Sequence, residues 1–333
     1  MPNNTEIVSS DKYNFVLPCG LGDTYFICCY KNIYEKIHNV KIHFIIKPSH
    51  EIIMKMFEIH DYVCADLNKD FYKKNTFSHK PQIGAMYIAH PDYNNKRLIK
   101  KWKRGLLNFR ELYTEYLEIP NQSKICFPLK KIEKAFTLEN IKLGKCIFIS
   151  ISATSIVQID KSYWQNLVSS YLQQGYTIIN NCIGEGDELE GCLNLNLSLA
   201  EIIYIASRCH KSYCLRSGLC DLLFYFLGDK LQVIYPNKNL LDLYSINNSF
   251  QLDNKWQVAE IIIDKKYVCS PEIKKIKFLF FIPIIKKIQN QEMTYYLWRF
   301  PVAKIKWKKD NSRYTYKLFG IKLLDIHMNN VNK

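Results

Sequence analysis

Apolar residues along this chain come in short runs whose period alternates between that of a strand and that of a helix. "YNFVLP" is a compact apolar run that predicts a first strand. A glycine turn follows, and "CGLGDTYFICCYKNIYEKI" then spaces its apolar positions as a helix does. "KIHFIIKP" (41–48) predicts a second strand ended by proline, and "EIIMKMFEIHDYVCAD" (51–66) a helix and a short third strand. "AMYIAHPDY" (85–93) supplies another strand with a polar tip. "RLIKKWKRGLLNFRELYTEYLEI" (97–119) reads as one long, basic, amphipathic helix. This strand–loop–helix–strand rhythm favours a parallel sheet with crossover helices.

The rhythm breaks in the charged segment 126–145 and then restarts. "CIFISIS" (146–152), "YTIINNCIG" (176–184), "KSYCLR" (211–216) and "KLQVIYP" (230–236) predict strands. "YWQNLVSSYLQQG" (163–175), "SLAEIIYIASRC" (198–209) and "GLCDLLFYFLG" (218–228) predict the helices between them. The result is a second doubly wound α/β domain. Beyond 264 the pattern changes again. "LFFIPIIKKI" (279–288), "LWRFPVAKIK" (297–306) and "LFGIKLLDI" (318–326) look like three copies of one short unit, spaced by roughly 20 residues. The expected organisation is an N-terminal domain over 1–130, a C-terminal domain over 145–264 and a basic, aromatic-rich tail over 265–333.

Composition sharpens this picture. A chain of 333 residues with 48% hydrophobic and 23% charged positions is a folded protein of about two domains. The formal charge of +15 predicts an acidic partner: nucleic acid, anionic lipid or a phosphorylated substrate. Beyond residue 264 stand 16 Lys and Arg against 4 Asp and Glu, so about a dozen of those charges belong to the tail. The tail reads either as a packing element or as a surface that sets aromatics and lysines against an anionic membrane. The twelve cysteines are irregularly spaced, with no C-x-x-C pair, and read as scattered thiols of a cytosolic chain. The first residues lack the layout of a signal peptide, and the longest apolar runs are far short of a membrane span.

Four stretches hold candidate chemistry. In "LPCGLGDTYF" (17–26), Gly20 and Gly22 let another molecule approach the backbone, and Asp23 stands in the first helical turn. A helix-capping aspartate is the plain alternative. Tyr25 occupies the final glycine position of the dinucleotide fingerprint, which disfavours a nicotinamide enzyme. In "SISATSIVQIDKSYW" (150–164), Ser152, Thr154 and Ser155 offer hydroxyls to phosphate oxygens and Lys161 a point charge; a polar surface loop is the alternative. In "CIGEGDELEG" (182–191), Glu185 sits in a glycine-flanked turn suited to a ribose diol, or simply to an acidic turn.

The fourth stretch is "CLRSGLCDLLFYFLG" (214–228). Arg216, Ser217 and Gly218 stand where a strand's carboxyl end meets a helix start, a natural anion site. Arg216 would grip a phosphate there, unless it pairs instead with Asp221. No D-x-D occurs in the chain, so nothing resembles a divalent-metal clamp, and a leaving diphosphate would depend on Arg216, Lys161 and a helix dipole.

Taken in order, "GLGD" (20–23), "SATSIVQIDKSYW" (152–164), "GEGDE" (184–188) and "LRSGLCDLL" (215–223) resemble the bacterial heptosyltransferase family of GT-B glycosyltransferases. The resemblance implies two doubly wound Rossmann-like domains facing a cleft, acceptor domain first and donor domain second. It implies Asp23 as the base for the acceptor hydroxyl. Lys161 with Ser152, Thr154 or Ser155 would hold the diphosphate, Glu185 the nucleoside, and Ser217 and Gly218 would lend backbone N–H groups. His90, in "AHPDY", would face the acceptor beside Gly20 and Gly22, or serve simply as a core or surface histidine. Two positions depart from the family pattern: its acid before Ser/Thr-Gly is Arg216 here, and its histidine after Gly-Leu-x is Asp221. In that family the acid touches the donor sugar, so the arginine points to a donor sugar other than the family's heptose, or to a second grip on the diphosphate.

The expectation is therefore an inverting, metal-independent glycosyltransferase with a nucleotide-diphosphate sugar as co-substrate and no other cofactor. Its acceptor would be a lipopolysaccharide, capsule or related glycan or glycolipid. The tail, and the stretch "KRLIKKWKR" (96–104), would seat it on the inner face of the cytoplasmic membrane. Two rivals remain open: a basic nucleic-acid-binding protein, and a non-catalytic sugar-nucleotide-binding relative of the same fold.

Overall fold

A computed structural model of the chain describes residues 7–128, 142–153, 156–250 and 257–269, together with the backbone of the strands between 272 and 327. Thr154, Ser155 and most of the expected linker over 126–145 lie outside the described residues. Residues up to Tyr267 form one compact unit and those from Val268 a second.

The first unit contains two parallel sheets. The N-terminal lobe runs β1 (Tyr13–Leu17), α1 (Leu21–His38), β2 (Ile42–Ile46), α2 (Glu51–Met56), β3 (Tyr62–Cys64), α3 (Lys69–Lys74), β4 (Met86–Ile88), α4 (Pro91–Asn94), α5 (Lys96–Lys103) and α6 (Phe109–Tyr116). Its strand order is β3-β2-β1-β4, all parallel. The strands read as unbroken apolar runs because helices and loops cover both faces of a parallel sheet. The C-terminal lobe runs β5 (Cys146–Ser150), α7 (Lys161–Gln173), β6 (Thr177–Asn181), β7 (Leu193–Leu195), α8 (Leu199–Arg208), β8 (Lys211–Leu215), α9 (Gly218–Leu227), β9 (Leu231–Tyr235), α10 (Lys238–Tyr244), α11 (Ile246–Phe250) and β10 (Ala259–Ile262). Its order is β10-β9-β8-β5-β6-β7, again all parallel. Two doubly wound α/β lobes are thus present, the arrangement that the GT-B resemblance implies.

Each sheet reverses its winding once, between β1 and β4 in the first lobe and between β5 and β8 in the second. Ligands of such sheets bind outside the strands' carboxyl ends at that switch. The lobes share a continuous core. The ring of Phe224 (α9) stacks on Phe250 (α11) with centroids 4.0 Å apart, and the ring of Phe26 (α1) packs tilted against the same side chain at 4.9 Å. Trp102 of α5 packs edge-on to Tyr244 of α10 at 5.1 Å. These aromatic contacts bury large apolar areas, which holds the lobes together around α1 and α9.

The single long helix expected over 97–119 is two helices. Gly105 takes a left-handed φ of 71° just after α5, and the chain restarts as α6. Asn108 caps the new helix by accepting from the Glu111 amide at 2.9 Å, while the Glu111 carboxylate accepts from the Asn108 amide at 2.8 Å. The G-x-x-N-x-x-E signal was in the sequence, but the apolar period ran through it. The short edge strand β7 was not anticipated, because three half-exposed residues carry too little pattern.

The second unit is a six-stranded antiparallel meander: β11 (Glu272–Phe278), β12 (Ile282–Gln289), β13 (Glu292–Leu297), β14 (Phe300–Trp307), β15 (Arg313–Leu318) and β16 (Ile321–His327). The three similar sequence stretches fall on β12, β14 and β16, the returning strand of each successive hairpin, so the repeated unit is a β-hairpin. Among the described residues no helix is long and apolar enough to cross a membrane.

Candidate functional site

Asp23 lies in the first turn of α1, just beyond the carboxyl end of β1, and His90 follows β4. The two residues therefore flank the switch point of the first sheet. The Asp23 carboxylate is about a quarter exposed. Its Oδ1 accepts from the hydroxyl of Tyr113 in α6 at 2.5 Å and lies 3.6 Å from His90 Nε2. Its Oδ2 accepts from the Gly20 amide at 3.2 Å. Burial works against the charged form, but His90, Tyr113 and the Gly20 amide outweigh it and hold the carboxyl below its usual range. Tyr113 is fully buried, and burial with the adjacent carboxylate pushes its phenol well above the ordinary value, so it remains a donor.

His90 has a fixed role in this cluster. Its Nδ1 accepts from the Asp92 amide at 3.2 Å as the cap of α4, which puts the neutral ring's proton on Nε2, facing Asp23. Lys47 adds a cation by donating to the Cys19 carbonyl at 3.1 Å. His50 hydrogen-bonds Thr24 Oγ1 through Nδ1 at 2.9 Å, and burial and Lys47 push its pKa down to about 4, so it stays neutral at physiological pH.

Cys19, Asp23 and His90 each bring a potential ligand atom within 4.8 Å of the others. Two features of the cluster work against a metal. The free lone pair of His90 is taken by the Asp92 amide, and burial pushes the Cys19 thiol up, away from the thiolate a metal needs.

The second lobe overturns the central expectation for Arg216. Its side chain is only 4% exposed, and the guanidinium forks onto Asp221, Nη2 to Oδ1 at 2.8 Å and Nη1 to Oδ2 at 3.0 Å. Nε donates to the Tyr244 carbonyl at 2.8 Å and Nη1 to the Ser217 carbonyl at 2.5 Å. Arg216 is thus tied into packing and does not grip a phosphate. Burial pushes the Asp221 carboxyl up, to about 6, with Arg216 opposing and the nearby charge of Asp23 adding to the rise. An arginine at the mouth of a strand can serve an internal acid as readily as a ligand; here Asp221, five residues on, lies within reach.

The glycines are corrected in the same way. Gly22 is buried against α9, where an added Cβ would lie 2.3 Å from Asp221 Oδ2, and does not face an acceptor. Gly218 packs on Gly22 in turn, so the close approach that it permits is to α1. Gly20 is exposed and donates to Asp23. Ser217 is half-buried, and its hydroxyl does not cap α9.

At the second sheet's switch point, Ser152 donates to Asp187 Oδ1 at 2.6 Å. The Ile183 and Gly184 amides donate to Asp187 Oδ2 at 3.0 and 2.9 Å. The glycine-flanked turn is therefore organised by Asp187, which the sequence reading passed over, whereas Glu185 is exposed. Lys161 is exposed in the first turn of α7. Tyr113 was also missed; a tyrosine in a helix carries no motif, and only the fold brings it to Asp23.

No family model matches the chain, and no curated protein matches it. Among solved structures it is similar to the iron-containing dodecameric glycosyltransferase TibC of enterotoxigenic E. coli, at 13% identity and a TM-score of 0.47 over 68% of this chain. The chain spans 59% of the length of that protein. It is similar to the glycosyl transferase family 9 protein of Veillonella parvula, at 11% identity and a TM-score of 0.48 over 76% of this chain and 87% of the other. It is also similar to E. coli ADP-heptose lipopolysaccharide heptosyltransferase II, at 12% identity and a TM-score of 0.48 over 76% of this chain and 92% of the other.

Proposed function

We propose that the chain is a glycosyltransferase that moves a sugar from a nucleotide diphosphate to a hydroxyl acceptor, with Asp23 as the base. One observation carries this reading. An ionised, part-exposed carboxylate stands at the switch point of one parallel sheet, on a helix whose start abuts the helix leaving the switch point of the other. Two ligand-binding strand ends with a base between them suit a transfer from a donor on one lobe to an acceptor on the other.

In this reading Asp23 takes the proton of the acceptor hydroxyl, and the oxygen attacks the anomeric carbon as the nucleoside diphosphate departs, with inversion. A carboxylate held ionised and aimed by a buried phenol is ready for that step without a pKa near neutrality. With Arg216 committed elsewhere, the diphosphate falls to Lys161 and to Ser217, whose hydroxyl caps nothing. This arrangement proposes metal-independent departure, with cationic and hydroxyl donors in place of an ion. The departures at Arg216 and Asp221 favour a donor sugar other than heptose. A lipopolysaccharide or capsule acceptor, and a place at the inner face of the cytoplasmic membrane, are further parts of the proposal.

The test pairs two measurements on Asp23→Asn. Nucleoside diphosphates and their sugars should raise the melting temperature of the wild type and of the variant alike. Turnover of the donor should fall at least about 100-fold in the variant, as expected for loss of a general base. Unchanged turnover removes Asp23 from the mechanism. Donor binding without turnover in the wild type, across a panel of glycan acceptors, favours the non-catalytic relative.

A further inference from the structure

α5 spends its apolar stripe inside the protein. Leu98, Ile99 and Trp102 are buried, and the Trp102 indole donates to the Leu243 carbonyl at 3.4 Å. The opposite side is almost purely cationic. Lys96, Arg97, Lys100, Lys103 and Arg104 are all exposed, and none of them has an ion-pair partner among the described residues. Lys101 alone is neutralised, by Glu115 at 2.7 Å.

This face is bounded by exposed apolar side chains. Leu106, just past the helix, is 67% exposed, and Tyr93, just before it, is 53% exposed. Five unpaired cations within nine residues repel one another, and an anionic, partly apolar partner would relieve that repulsion while covering the aliphatic and aromatic side chains that bracket them. The face also adjoins the candidate site. The Tyr93 ring lies 6.1 Å from the His90 ring, and His90 lies 3.6 Å from Asp23.

We propose that the outer face of α5, with Tyr93 and Leu106 at its ends, docks the protein on an anionic lipid bilayer. The cations meet lipid phosphates while Leu106 and Tyr93 enter the headgroup boundary. A bilayer satisfies both features together; a nucleic-acid backbone answers the charge and leaves the exposed leucine unmatched. Docking here sets Asp23 and His90 near the surface, where a lipid-borne acceptor is presented. The inference deepens the membrane placement of the proposed function and is separable from the transferase chemistry, because partition is measured without turnover.

The experiment is sedimentation of the full chain with vesicles of phosphatidylcholine alone or with 30% phosphatidylglycerol, at low and high salt. Binding is expected to need the anionic lipid and to weaken with salt. Lys100→Gln, Lys103→Gln and Arg104→Gln together should weaken partition about 100-fold, at about fivefold per cation lost, with the melting temperature unchanged because all three are exposed. Leu106→Ser should weaken it by several-fold. A matched tail variant (Lys274→Gln, Lys275→Gln, Lys277→Gln) should weaken it less than the α5 variant. Wild-type partition in the α5 variant overturns the proposal, as does equal binding to phosphatidylcholine alone. So does an α5 variant that loses oligonucleotide binding while keeping its hold on vesicles.

Discussion

Gly22 and Gly218 meet backbone to backbone where the two lobes join: a Cβ on Gly218 would lie 2.4 Å from the Gly22 amide nitrogen. Neither glycine takes a left-handed φ, so the requirement is for space alone. Gly218→Ala therefore pushes a methyl into backbone that cannot rotate away, and α1 must separate from α9. Gly22→Ala meets the Asp221 carboxylate at 2.3 Å, and Arg216 clamps that group in place. Each substitution should cost about 1–3 kcal/mol in chemical denaturation, the usual cost of overpacking. Wild-type stability in both would mean that the helix starts are not in contact.

The Arg216–Asp221 fork makes a second test, because a buried ion pair and a ligand-binding arginine respond differently to mutation. Arg216→Met alone strands a carboxylate in the core and should destabilise by about 3–5 kcal/mol. Arg216→Met with Asp221→Leu removes both charges and should recover most of that loss, giving a strong coupling in a double-mutant cycle. The folded double variant should also bind nucleoside diphosphates as the wild type does. A large loss of nucleotide affinity in that variant, with the fold intact, would return Arg216 to the binding site.

How far the sequence announces these features depends on the range of the interactions involved. The alternation of strands and helices, and with it two doubly wound lobes, is written in local apolar periods. Asp23 was legible because the glycine turn before it and the helix after it are contiguous. Arg216 was legible as an unusual residue, but its partner was ambiguous: the same R-S-G-x-x-D spacing serves an incoming phosphate and an internal salt bridge. Only the packing of α9 against Gly22, between residues almost 200 apart, decides for the bridge. Tyr113 lies ninety residues from Asp23 and belongs to the second half of what reads as one helix. Its alignment depends on the Gly105 break, which the continuous apolar period concealed.

Asp187 and Glu185 occupy one turn and should separate cleanly. Asp187 collects a hydroxyl and two amides, so Asp187→Ala frees the Ile183 and Gly184 N–H groups and the loop beside Ser152. If this turn borders the donor, Asp187→Ala should raise the KM for the nucleotide sugar by about tenfold, the equivalent of one lost charged hydrogen bond, with a smaller change in kcat. Glu185→Gln tests the ribose role directly. An exposed side chain with no structural duty should leave stability unchanged, so any rise in KM in that variant reports contact with the nucleoside. Equal and small effects from both variants would place the donor elsewhere.

The last prediction concerns the pH at which the base is lost. Asp23 works as a base only while ionised, and its carboxyl is held below the ordinary range in the fold. The acid limb of kcat/KM should therefore lie below the usual carboxylate value of about 4. Linkage gives the matching sign for stability: a depressed carboxyl stabilises the fold above its unfolded pKa, and that contribution disappears as pH falls through the folded value. Tyr113→Phe removes the phenolic donor while keeping the ring that packs on Phe26 at 5.4 Å and Phe109 at 5.1 Å. Burial then opposes the charge with one fewer hydrogen bond against it. The acid limb should move upward, and the rate at neutral pH should fall about tenfold through poorer aim. A residue that merely packed would lower stability and leave the pH profile where it was. That outcome in Tyr113→Phe would reduce the tyrosine to core, whereas a shifted limb with a nearly normal melting temperature identifies it as the group that orients Asp23.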